Sequence, residues 1–135
     1  MKTPAPGTLI VLLSGIVGLG VGAALLAAPV AFYAADGVTI GDQRGLLSDL
    51  RGTGASLFAL GGFILAGAFR PSFTRVASGV SALVYLSYAG GRGVAILLDG
   101  TPSPAVLTVL AVEFGLGASC LFVMVHPPVR PGEGS

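Results

Sequence analysis

The chain has 135 residues, 53% of them hydrophobic and 10% charged, with a formal net charge of +1 and a mean hydropathy of +0.91. Soluble domains carry about 25% charged residues, so this chain has too few to cover a water-facing surface, and its charge provides no basic field for nucleic acid. The length allows one compact domain, residues 1–126, and the single cysteine, Cys120, excludes an internal disulfide and a multi-cysteine metal site.

Four apolar runs follow in order. The first covers 8–28 and stops at Pro29; at 1.5 Å per helical residue it is about 30 Å long, the thickness of a hydrocarbon core. A segment from Ala31 to Leu47 comes next, with Asp36, Asp42, Gln43 and Arg44 among glycines, and has room for a short surface helix. The second run, 48–69, opens with Ser48 as N-cap and Asp49 in its first turn, and Arg70-Pro71 ends it. The third occupies 76–98. The fourth, 104–125, opens on Ser103-Pro104, the cap-then-proline order of a helix start. The tail 127–135 reads as disordered. The fold expected is all-α, a four-helix transmembrane bundle.

Two other readings fit less well. A cleaved signal peptide would put its cut after Phe32-Tyr33-Ala34, but only Lys2 supplies a basic flank and the run exceeds the usual h-region of about 7–15 residues. A buried soluble bundle would have no polar outer face. With four spans, Lys2, Arg70, Arg75 and Arg130 share one side, while Arg44 and Arg51 lie on the other. The positive-inside rule then makes both termini cytoplasmic.

Two ionisable residues fall inside spans. Arg92 precedes Asp99 by seven positions and Glu113 follows Pro104 by nine, so each lies about 10–14 Å in from the same side. A charge at such depth costs about 2.5–3.5 kcal/mol on insertion scales and normally faces a partner, so the two are expected to meet. Ser78, Ser81, Tyr85, Tyr88, Arg92 and Asp99 fall on one stripe of the third span. Asp49, Thr53 and Ser56 form a shorter polar face on the second, beside Arg51. The expected polar cluster is therefore Arg92, Glu113, Asp99, Arg51, Asp49, Tyr85 and Tyr88. Structural roles compete with functional ones: an ion pair can fix helix register, Arg92 can snorkel to the headgroups, and the tyrosines can be core residues.

Gly18 and Gly22 form a GxxxG pair, and Ala111, Gly115 and Ser119 a second small-residue seam; both read as helix contacts. The Gly18–Gly22 stretch lies in mid-span without a preceding strand, so it is not a phosphate loop. His126 reads as an interface residue and Cys120 as a small packing residue. No serine–histidine–acid set, HExxH or CxxC occurs, so no catalytic residue, metal ligand or cofactor is assigned.

Arg51-Gly52, Gly91-Arg92, Asp99-Gly100-Thr101-Pro102-Ser103 and Glu113 together resemble a family of small bacterial four-span proteins, domain of unknown function 4345. The resemblance runs from Leu50 to Gly117; the first span is similar only in being apolar. Family members often have a tyrosine where this chain has Leu57-Phe58, and no role is carried onto those positions. The resemblance implies a multi-pass protein of the bacterial inner (plasma) membrane and names no activity. The expected function is a non-enzymatic structural or accessory membrane component. The alternative is a small-solute or proton-linked binder or carrier, with Arg92 and Glu113 as its working groups. Its partners would be the lipid bilayer and a second copy or a membrane complex, not nucleic acid.

Overall fold

A computed structural model describes residues 5–126. It contains α1 (Pro6–Ala27), α2 (Pro29–Ala35), α3 (Arg44–Ala68), α4 (Thr74–Asp99) and α5 (Pro104–Val125), and no strand among the described residues. All but α2 are long and apolar enough to cross a membrane. The tail expected to be disordered lies outside the described residues.

The breaks follow the sequence chemistry. Pro29 has no N–H to continue α1, so Ala28 leaves helical geometry (φ −141°) and Pro29 starts α2. Gly37, at φ +75°, follows the end of α2, a conformation glycine adopts without steric cost. The short helix thus lies at the start of the polar segment. α3 begins at Arg44 rather than Ser48, because Leu46 and Leu47 prolong its helix and Leu47 N–H bonds back to Gln43 C=O (2.9 Å). Gly100, at φ +93°, turns the chain after α4. Pro104 opens α5 as expected, although the Ser103 side chain makes no capping bond.

The four spans form two antiparallel pairs, α1 with α3 and α4 with α5. Within the first pair, backbone meets backbone. A Cβ on Gly22 would stand 2.3 Å from Phe58 N, and one on Gly61 2.4 Å from Leu19 N. Only glycine permits this approach, which maximises van der Waals contact where lipid offers no hydrophobic drive. The Gly18–Gly22 seam is therefore a helix contact. The second seam is displaced: Gly115 has open space around it, and Gly117 instead packs against Leu86. Helical rotation of about 200° over two residues moves that packing to a different face.

The pairs join at the end that carries Pro6 and Val125, hereafter the terminal end. There Val11, Ile64, Ala68, Ala77 and Val123 form the buried core. Thr74 Oγ1 donates to Gly67 C=O (3.1 Å) across the α3–α4 turn. At the opposite, loop end the pairs separate, and the site lies in the space between them.

Candidate functional site

A polar layer closes the terminal half of the bundle. Ser14 of α1, Ser81 of α4 and Cys120 of α5 are fully buried. Ser81 Oγ donates to Cys120 Sγ (3.2 Å), the thiol lies 3.6 Å from Ser14 Oγ, and Ser14 Oγ donates to Val11 C=O (2.9 Å). Tyr85, also buried, reaches from α4 to α1, where its hydroxyl donates to Ser14 C=O (2.6 Å). Every buried side-chain polar atom among the described residues has a partner, as a low-dielectric interior demands. Cys120 thus belongs to a hydrogen-bonded layer as well as to the packing. Ser14 carried no signal of its own in an apolar run; its position one turn before the Gly18 contact was the available clue.

Beyond Tyr85, toward the loop end, lies a cavity of about 330 Å³. Its wall is mainly apolar, with Val21, Leu25, Leu57, Val84, Val109 and Val112 contributed by α1, α3, α4 and α5. This size is at the lower limit of small-molecule sites, about 300–1,000 Å³. The polar part of the wall consists of Arg92, Glu113, Tyr88, Tyr33, Asp36, Thr53 and Thr108 beside Tyr85. A groove of about 530 Å³ between α4 and α5, lined by Leu86, Gly90, Leu110 and Phe114 among others, is shallower and has no ionisable lining.

Arg92 and Glu113 meet as their equal depths require. Arg92 Nε donates to Glu113 Oε2 (2.8 Å) and Nη2 to Oε1 (3.2 Å), a two-point pairing that fixes both planes. The carboxylate side chain is 12% exposed and the guanidinium side chain 35%. Both carboxylate oxygens are engaged on one edge of the guanidinium, while Nη1 has no protein partner among the described residues. The thiol layer and the ion pair therefore sit on opposite sides of Tyr85.

The other residues of the expected cluster are placed elsewhere. Arg51 turns away from Arg92 and Glu113: its Nη1 donates to the carbonyls of Leu26 and, at 3.2 Å, Ala27. These are last-turn carbonyls that α1 leaves unmatched when Pro29 interrupts it, and a cation there also meets the negative helix end. Asp49 is exposed, and its backbone carbonyl accepts from Thr53 Oγ1 (3.0 Å). Asp99 is exposed at the end of α4 and makes no salt bridge; Arg92–Glu113 is the one ion pair among the described residues. The α4 stripe keeps its order, with Ser78, Ser81 and Tyr85 buried and Tyr88 and Arg92 partly so. Seven residues past Arg92, Asp99 has left the bundle. Sequence reading missed Tyr33 and Asp36, which α2 brings to the cavity. Nothing in their spacing relates them to Arg92.

No curated protein and no solved structure matches the chain. A family match, described as Domain of unknown function (DUF4345), extends over residues 7–124 and so includes α1 along with the later spans. With four membrane-length helices and that match over most of its length, the chain belongs to the DUF4345 family.

Proposed function

We propose that this protein is a non-enzymatic, multi-pass binder of a small amphiphilic molecule in the bacterial plasma membrane. The observation that supports it is the cavity of about 330 Å³ with an ion pair on an otherwise apolar wall. An apolar body would fill the space between the helix pairs, and a polar group would face Arg92 and Tyr88. The geometry favours this over a purely structural use of the charges. Arg92 and Glu113 belong to consecutive helices of one pair, already joined by the 100–103 turn and packed through Gly117 and Leu86. The side-chain bonds that tie one pair to the other come from Tyr85, Ser14, Cys120 and Thr74 instead.

The test is lipid and small-molecule mass spectrometry on protein extracted in mild detergent. Wild type should release one amphiphile in near-stoichiometric amount, and Val109→Trp, which fills the cavity, should release none while melting normally. A wild-type protein that carries no such molecule would overturn the reading.

The proposed orientation has both termini in the cytoplasm. Arg70 and Arg75 flank the α3–α4 turn on the terminal side, whereas Arg51 on the loop side is turned onto α1. Labelling of whole cells with an impermeant maleimide should modify Thr101→Cys and spare Ser72→Cys; the reverse pattern would invert the topology.

A further inference from the structure

We infer that the molecule held between the helix pairs is electrically neutral and is recognised through a carbonyl oxygen that accepts from Arg92; this rests on the binding reading above. Three observations converge on that class.

The first is the set of unused donors. Arg92 Nη1 is not used in the bonds to Glu113, and half-buried Tyr88 lines the cavity beside it. Arg92 is about 10 Å below the end of α4, deep enough that lipid offers it no acceptor. Both groups are accessible rather than sealed in the core. Guanidinium has five donors and no acceptor capacity, so a molecule that bonds to Arg92 there must present an acceptor, and one with only donors, or an apolar one, would make no such bond.

The second is the charge around the space. One cation, Arg92, faces two carboxylates, Glu113 and Asp36. Glu113 already neutralises Arg92 through two bonds, and Asp36 leaves the lining net negative. Asp36 lies outside the spans and is half-buried, so solvent weakens but does not remove its repulsion of an added anion. An added cation would gain from Asp36 but leave the arginine donors unmet and bring like charge to them. A neutral acceptor satisfies the donors and incurs neither penalty.

The third is shape. The remaining lining is aliphatic and aromatic, with Val21, Leu25, Val109 and Val112 on facing helices. A flat or chain-like apolar body therefore accompanies the carbonyl. Quinone rings and neutral acyl esters share this chemistry.

The chain provides a reporter for the test. It has no tryptophan, and its three tyrosines, Tyr33, Tyr85 and Tyr88, all line the cavity. Tyrosine fluorescence of the full-length protein in nanodiscs would be titrated with four chain-matched probes: decylubiquinone, didecanoylglycerol, decanoate and decyltrimethylammonium. Inner-filter corrections would be taken from free N-acetyltyrosinamide with empty nanodiscs at matched absorbance. One of the two neutral carbonyl probes, or both, should bind at least tenfold more tightly than either charged probe, and their ranking separates a quinone source from a lipid ester. Glu113→Gln, which exposes the arginine charge, should raise decanoate affinity about tenfold. Equal or tighter wild-type binding of decanoate or the ammonium probe would overturn the neutral assignment while leaving the binding reading intact. No response to any probe would overturn both. The wild-type ranking decides the question even if the variant fails to fold.

Discussion

The two ends of this bundle solve the same problem in opposite ways. At the terminal end, small side chains let four helices close on each other, and Ser14, Ser81 and Cys120 satisfy one another in a space that excludes lipid and water. At the loop end, larger side chains line a gap, and Arg92 keeps donors that the protein does not use. The difference teaches that buried polar groups in a membrane protein are not all equivalent. A satisfied layer holds helices in place, whereas a partly satisfied pair beside a cavity keeps donors free for the ligand proposed above.

The comparison can be broken most severely at the α1–α3 seam, on which both ends depend. Gly22→Val would drive side-chain atoms into the backbone of Phe58; overpacking costs about 1–3 kcal/mol and sometimes more, and the upper part of that range is expected by detergent-unfolding equilibrium. Next comes the loop end itself. Glu113→Leu strands the Arg92 charge and should destabilise by about 2–3 kcal/mol, in line with insertion costs. Joining it to Arg92→Leu should restore most of the loss, because apolar replacement of both partners removes the stranded charge. A double variant no more stable than the single one would mean that the pair holds the helices together. At the terminal end, Tyr85→Phe deletes the bond to Ser14 C=O and should lower stability by about 1 kcal/mol, measurable as a fall in melting temperature. The smallest effect is expected at Gly20, which has open space around it. Gly20→Ala should stay within about 0.5 kcal/mol of wild type, and a larger loss would reveal a contact with another chain.

Much of this was legible in the sequence, and the parts that were not share a cause. Hydropathy and helical rise determine depth, and depth sufficed to find the four spans and to pair Arg92 with Glu113 across a short turn. Depth does not determine how far apart two helix pairs stand, so the cavity had no signature. Nor does it say which way a side chain at a helix end will turn. Arg51 shared the expected cluster with three acidic residues, Asp49, Asp99 and Glu113, and took none of them, because Pro29 had left carbonyls of α1 without donors. Asp49 and Asp99 share the loop-side depth with the cluster but are exposed. The second seam shows the same limit on a smaller scale: the small residues were visible, but Gly117 rather than Gly115 met the neighbouring helix.

The pairing of Arg92 with Glu113 inside one antiparallel pair also bears on how the chain enters a membrane. The two residues are 21 positions apart, and the segment between them includes the turn at 100–103 and nothing from α1 or α3. A hairpin of α4 and α5 can therefore match its charges to each other as it leaves the translocation machinery, before it finds the first hairpin. Each half of the protein is then a self-sufficient unit of insertion, and the bonds from Tyr85 and Cys120 to Ser14 are left for the later step in which two hairpins already in lipid meet.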